Sequence, residues 1–340
     1  MRCGMYMLRP RNFGSLKEDS CITCRLRAGL PLASAPPKAS MAASSSLSTP
    51  RGVRSGTVSS PCPMTPCTPC TPTQPVWQMK CDAAHARCPF PCSYALHQSS
   101  KGEDRLVLDC RGQSALWAVF DGHITQSVAG LSQREFPELV WSSACWPENP
   151  REALRDALLR CNERARQEKL LGGSTAVAVV ASGATICCAS LGDSRAVAGM
   201  RGGAWKRLSV DHVTTSPEEA KRVQALGGCL EWGRLGNLPM TRGLGNFNLE
   251  ADGFTCDPDV IEVPRREVEF VVLASDGLWD VLSEKHCCQM VHDRGPAGVH
   301  GDMAKELAEH ARLMGSTDDI AVVVAYFPPE GVVTSSIGGS

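Results

Sequence analysis

Seven acidic side chains stand where apolar runs begin or end. Asp121 directly follows Leu116-Trp-Ala-Val-Phe120, and Asp276 follows Phe270-Val-Val-Leu-Ala-Ser275. Asp193 comes one Gly after Ile186-Cys-Cys-Ala-Ser-Leu191. Asp318 and Asp319 immediately precede Ile320-Ala-Val-Val-Val-Ala-Tyr-Phe327, and Glu103 and Asp104 stand one Arg before Leu106-Val-Leu108. Strands of one sandwich that each carry an acid at a terminus bring those acids to one edge of the sheets. Carboxylates gathered without partners repel one another unless a hard cation neutralises them. Oxygen donors with no matching His/Cys set point to Mg²⁺ or Mn²⁺. Asp at a strand end is also a common turn former, so any one of these acids alone says little.

The elements that must carry them are legible in outline. Ala176–Ala181 and Thr185–Ala189 are short apolar runs rich in β-branched residues around Ser182-Gly-Ala184, which predicts a buried hairpin. Leu106–Leu108, Leu116–Phe120, Phe270–Ala274 and Ile320–Phe327 are further strand candidates. Asn149-Pro-Arg-Glu152 has the form of a capping box with Pro at the first helical position, and Leu154, Leu158, Cys161 and Ala165 then share one helical face. Ser216-Pro-Glu-Glu219 starts a second helix that Gly227–Gly228 should stop, and a third runs from about Asp302 to Met314. Strands come in neighbouring pairs with helices inserted as pairs. The fold class expected is α+β, two packed antiparallel β-sheets flanked by pairs of α-helices.

Charge divides the chain. Residues 1–90 hold 11 Lys/Arg against 3 Asp/Glu, whereas the remainder holds 24 against 33. An acidic body argues against a nucleic-acid partner, which needs a basic face. Leu170–Gly192 is the longest charge-free stretch outside the Pro-rich head, but Gly172, Gly173, Ser174, Thr175 and the Ser182–Ala184 break interrupt it, so no membrane span is expected. Residues 1–88 are expected to be a disordered Ser/Thr/Pro/Cys-rich tail, and 330–340 a flexible C-terminal tail. Without an apolar signal core, the 18 Cys are expected to be reduced thiols in an intracellular protein, cytoplasmic or nuclear. The acid-poor, Ser- and Arg-containing N-terminus leaves organelle targeting as the alternative. Cys21-Ile-Thr-Cys24 and Cys67-Thr-Pro-Cys70 have zinc-type spacing, but neither is followed by a clean second pair, which makes zinc the lesser expectation.

From about Ser99 to Tyr326 the sequence resembles the metal-dependent protein serine/threonine phosphatases of type 2C. The matching strings run in order: Glu103–Asp104, Val119-Phe-Asp-Gly-His123, Gly172-Gly-Ser-Thr175, Leu191-Gly-Asp-Ser-Arg195, Leu208-Ser-Val-Asp-His212, Gly236-Asn-Leu-Pro-Met-Thr-Arg-Gly-Leu-Gly245, Leu273-Ala-Ser-Asp-Gly-Leu-Trp-Asp280 and Gly315-Ser-Thr-Asp-Asp319. The resemblance implies a β-sandwich phosphatase domain over 89–329 with a dinuclear Mg²⁺ or Mn²⁺ site. Asp121 would bridge the metals, and the Gly122 carbonyl, Glu103, Asp276 and Asp318 would complete their shells. Asp193 and Asp280 match the acids that hold a weaker third metal. His123 would act as general acid toward the departing Ser or Thr oxygen. The implied partners are phosphorylated protein substrates, with the domain acting as a monomer.

Three departures bear on activity. The family usually has two glycines after Asp-Gly-His, where this chain has Ile124 and Thr125. An Arg that binds substrate phosphate normally stands four residues before the Glu, at the place of Ser99; Lys101 is nearby but cannot reproduce a bidentate guanidinium contact. The family's Gly-Asp is Gly245–Asn246. None removes an implied metal ligand, so the expectation is an active but weakened phosphatase. The alternative is a catalytically dead relative that serves as a binding module.

Overall fold

Alternation along the strands decides the architecture. In β3 (Ser114–Phe120), Trp117 and Val119 enter one buried cluster while Leu116, Ala118 and Phe120 enter another. A strand that is apolar on both faces must be covered on both. The same division recurs in β12 (Val268–Ala274) and β13 (Ile320–Tyr326): Val271, Leu273, Ala321 and Val323 join Trp117, whereas Val272, Ala274, Ile320 and Val322 join a third cluster.

The computed structural model describes residues 88–295 and 302–329. It contains two five-stranded antiparallel sheets. One has the order β1 (Cys92–His97), β13, β12, β8 (Arg195–Met200), β9 (Trp205–Arg207). The other runs β11 (Asp259–Pro264), β7 (Thr185–Leu191), β6 (Ala176–Ser182), β3, β2 (Arg105–Arg111). The cluster around Trp117 lies between them. Helices α1 (Ser127–Trp141) and α2 (Pro150–Gln167) pack on the β3 sheet, and α4 (Asp276–Trp279), α5 (Glu284–Arg294) and α6 (Met303–Leu313) pack on the β13 sheet. Between α2 and α4, α3 (Pro217–Ala225) begins at its Ser216 cap. The sandwich flanked by helices is the fold class expected. Residues 1–87 and 330–340, with both Cys-x-x-Cys pairs, lie outside the described residues; Cys88, the last residue of the expected N-terminal tail, packs against the cluster around Trp117.

Register brings the strand-end acids to one rim. Arg105 pairs with Phe120, Val119 with Val177, and Ala176 with Leu191, so the start of β2 and the ends of β3 and β7 share an edge. In the other sheet Ala274 pairs with Val322 and with Arg195, and His97 with Ile320. A small third sheet lies beside Asp121: β4 (Gly122–His123), β5 (Gly173–Ser174) and β10 (Leu244–Gly245), joined by the pairs His123–Gly173 and Gly245–Gly173.

Helix ends follow their sequence signals in part. Asn149 Oδ1 accepts the Glu152 N–H at 3.2 Å, and Ser216 Oγ accepts from Glu219 N at 3.5 Å. Glu219 does not close a capping box. Its buried carboxylate instead takes Arg222, Arg242 and the Thr241 hydroxyl, which outweigh burial and hold it at about 2. That network ties α3 to the chain entering β10.

Candidate active site

At the rim, Asp121 lies between β3 and β4, Asp276 is the first residue of α4, and Asp280 follows its last turn. Glu103 and Asp104 precede β2, Asp193 follows β7, and Asp318 and Asp319 lead into β13. Gly122 touches the Glu103 backbone so closely that a Cβ there would stand 2.8 Å from the Glu103 carbonyl oxygen, so only glycine fits. Thr175 Oγ1 accepts the Asp121 N–H at 3.2 Å and lies 2.6 Å from Ser194 Oγ, linking the loops that carry Asp121 and Asp193. Arg195, salt-bridged to Asp211 (2.6 Å) and Glu284 (2.7 Å), fastens the Asp193 turn to α5.

The acids sense one another. Burial pushes the Asp121 carboxyl well above its usual range, and Asp104, Asp276, Asp193 and Asp318 push it further. Burial raises Asp276 to about 6, reinforced by Asp280 and Asp318, although a hydrogen bond with Asp121 works against the shift. Asp193 is raised to about 7 by burial and by Asp276, and its Oδ1 is buried with no hydrogen-bond partner in the protein. Glu103 is raised by burial. A cation reaches the group: Lys101 Nζ donates to Asp318 Oδ2 at 2.7 Å, which raises the Lys101 pKa.

Such a set of desolvated, mutually repelling oxygen donors fits Mg²⁺ or Mn²⁺. Among the described residues no group of three or more His, Cys, Asp or Glu side chains could by itself hold a metal ion as placed.

Two of the strand-end acids are given no metal or catalytic role by the sequence. Asp104 is 1% exposed, accepts the Ser275 hydroxyl at 2.7 Å and is raised to about 8, chiefly by burial. Asp319 is buried against the backbone of the 99–104 loop.

His123 stands on β4 with Nε2 2.8 Å from Asn246 Nδ2 and 3.1 Å from Oδ1, while Nδ1 is buried without a partner in the protein. Burial lowers the His123 pKa, and the Asn246 contact opposes that shift. Asn246 is itself left-handed (φ 51°), a conformation Asn tolerates, and its amide lies where a Gly173 Cβ would project, 2.1 Å from Nδ2. Ile124 also adopts a left-handed φ of 71° and is 74% exposed. A β-branched residue is strained there. Ile124→Gly is therefore expected to raise stability by about 0.5–1 kcal/mol, net of glycine's larger unfolded-state entropy. An unchanged or lower urea midpoint would show that the strain is absent.

A further expectation concerns pH. A carboxyl whose folded pKa lies above its unfolded value keeps a proton that the unfolded chain has already released. Stability must then fall as pH rises from about 4 toward 8. With Asp276 at about 6, Asp193 at about 7 and Asp104 at about 8, the midpoint of melting in EDTA should drop by about 5 °C or more between pH 5 and pH 8. Mn²⁺ should restore most of it at pH 8. A midpoint in EDTA that is flat or rising over this range would contradict the reading of the cluster.

A family model described as Protein phosphatase 2C matches residues 84–320. The chain belongs to the protein phosphatase 2C family. It is 36% identical over 226 residues to the rice (Oryza sativa subsp. japonica) Probable protein phosphatase 2C 44, covering 62% of this chain and 68% of that one. It is 34% identical over 232 residues to the human Probable protein phosphatase 1N, covering 63% and 54%. The chain thus spans about half to two-thirds of the length of these curated relatives. Among solved structures, a serine-threonine phosphatase 2C from Toxoplasma gondii superposes with a TM-score of 0.62 at 22% identity, covering 70% of this chain and 95% of that one, a likeness of fold. A C. elegans sex determining protein superposes at 0.64 with 26% identity, covering 71% and 65%. The phosphatase 2C family is one of serine/threonine phosphatases, hydrolases of phosphoric monoesters. No helix among the described residues is long and apolar enough to cross a membrane.

Proposed function

We propose that the domain, placed at residues 89–329, hydrolyses phosphoserine and phosphothreonine in proteins with two Mg²⁺ or Mn²⁺ ions held at the acidic rim. The observation that carries this reading is the gathering of buried strand-end carboxylates at one rim, where burial first and mutual repulsion second raise Asp121, Asp276 and Asp193. Asp121, Glu103, Asp276, Asp318 and the Gly122 carbonyl are assigned to the pair, and Asp193 and Asp280 to a weaker third ion. When bound, the cations supply a nucleophile from water near neutral pH and neutralise charge on the phosphoryl oxygens. His123 gives its proton to the departing Ser or Thr oxygen, and Asn246 orients the ring. Substrates are phosphorylated proteins acted on by a monomer.

Calorimetric titration of the full chain with Mn²⁺ tests the assignment. Uptake of about two ions with proton release is expected, because raised carboxyls must ionise to bind. No Mn²⁺ binding at pH 8 would defeat it.

Substrate phosphate is recognised without the usual Arg. Ser99 is engaged locally: its N–H donates to Asp319, and its Oγ accepts the Lys101 N–H at 3.1 Å. Lys101 already points at the rim through Asp318. A charge-assisted contact is worth about 1.5–3 kcal/mol, or roughly ten- to a hundredfold in binding. Ser99→Arg should therefore lower KM for a phosphothreonine peptide with a smaller effect on kcat, and Lys101→Ala should raise it. If Ser99→Arg leaves KM unchanged or raises it, the phosphate is gripped elsewhere.

A further inference from the structure

The 99–104 loop joins β1 to β2 and delivers both Lys101 and Glu103 to the rim, yet it contains no regular structure of its own. Its conformation is imposed from across the sheet. Asp319, only 3% exposed and more than 200 residues away in sequence, accepts four of its backbone N–H groups: Ser99 at 2.5 Å, Glu103 at 2.6 Å, Asp104 at 3.3 Å and Gly102 at 3.4 Å. Gly102 takes a left-handed φ of 64°, which lets the chain turn around the carboxylate. Asp319 also donates its own N–H to Asp318 Oδ1 at 2.7 Å, so it orients that neighbour as well.

The chemistry of the four contacts separates Asp319 from the donor set. A carboxylate has two oxygens with about four lone-pair sites, and here each oxygen takes two amides. Little capacity is left for a cation. An asparagine offers a single acceptor oxygen, and its NH₂ would face N–H donors.

We propose that Asp319 is the positioning residue for Glu103, clamping the 99–104 loop so that the Glu103 backbone and Cβ stay against Gly122 and its carboxylate is held at the rim. The proposal rests on the metal-dependent reading for what Glu103 is positioned to do. Outer partners that orient ligands are typically worth about 10–100-fold in metal affinity.

The test uses the full-length chain in four forms: wild type, Asp319→Ala, Asp319→Asn and Asp319→Ala combined with Glu103→Gln. Amide exchange is followed over fragments spanning 99–104, and Mn²⁺ affinity is measured by calorimetry well below the melting midpoint. In Asp319→Ala the loop amides should exchange about tenfold faster or more, and Mn²⁺ should bind about 10–100-fold more weakly. Asp319→Asn should fall between, and it replaces the alanine variant throughout if that protein does not fold. Because Asp319 acts through Glu103, removing it in the Glu103→Gln background should cost less than about twofold in Mn²⁺ affinity relative to Glu103→Gln alone. Loop amides as slow as in the wild type would overturn the clamp. An undiminished affinity loss in the Glu103→Gln background would overturn the action through Glu103 and leave only a general structural role. If wild type binds no Mn²⁺, the metal reading fails, and amide exchange still decides whether Asp319 holds the loop.

Discussion

Asp121→Asn should leave the protein folded, more stable without metal, and close to inactive. The substitution preserves volume but removes the carboxylate on which burial and four other acids, Asp104, Asp276, Asp193 and Asp318, all press. Losing the ligand assigned to both ions removes about 4 kcal/mol of transition-state stabilisation, roughly a thousandfold in kcat/KM. Removing a buried, repelled charge should raise the melting midpoint in EDTA at pH 8 by about 2–4 °C, the response of a domain this size to about 1 kcal/mol. The two effects have opposite signs, which separates a site assembled for a cation from one assembled for stability. A variant that is both less active and less stable in EDTA would mean that Asp121 supports the fold and that its repulsion is relieved by some other route.

His123→Ala is expected to lower kcat for a phosphothreonine peptide by about 10²–10⁴-fold, the usual worth of a positioned proton donor. Mn²⁺ affinity should change little, since the ring is held by Asn246 and by no acid assigned to the metals. The alcohol of phosphothreonine needs a proton to leave, whereas the nitrophenolate of p-nitrophenyl phosphate does not. The loss on p-nitrophenyl phosphate should therefore be much smaller. Equal losses on the two substrates would reduce His123 to a structural role in β4. Because burial lowers the His123 pKa, the acid form is lost as pH rises, and the phosphothreonine rate should fall on the alkaline side sooner than the p-nitrophenyl phosphate rate.

Much of this arrangement is legible before any coordinates. The β6–β7 hairpin, β12, β13 and the capped starts of α2 and α3 follow from local signals, namely apolar runs, turn residues and side chains that accept the first free amides. The position of acids at strand ends, combined with antiparallel pairing, is enough to expect them on one rim. Other elements carry no such mark. Helix α1 has Pro137 in its interior and a Gln126 cap without a side-chain bond, and tertiary packing of Phe136, Leu139 and Val140 holds it in place. Glu219 reads as the partner in a capping box but is drawn away by Arg222, one turn along the same helix, and by Arg242, which arrives from the chain entering β10.

The site divides in the same way. Glu103, Asp121, Asp193, Asp276, Asp280, Asp318 and His123 are visible because their strings are ordered and distinctive. Asp104 and Asp319 sit beside two of them and look interchangeable with them in sequence. What distinguishes them is direction: one points at the Ser275 hydroxyl inside the fold, the other at four backbone amides. The Ile124 departure is visible as a residue type, but its cost appears only with the left-handed φ that the turn after His123 demands.

Release of phosphate from a phosphothreonine peptide by the purified full-length chain, followed in Mn²⁺ and again in excess EDTA, bears most directly on the central claim. Steady turnover in Mn²⁺ is expected, weaker than in a chain with the family's residues in place of Ser99, Ile124 and Asn246, and none above background in EDTA. Turnover that persists in EDTA, or no turnover in saturating Mn²⁺, would contradict it.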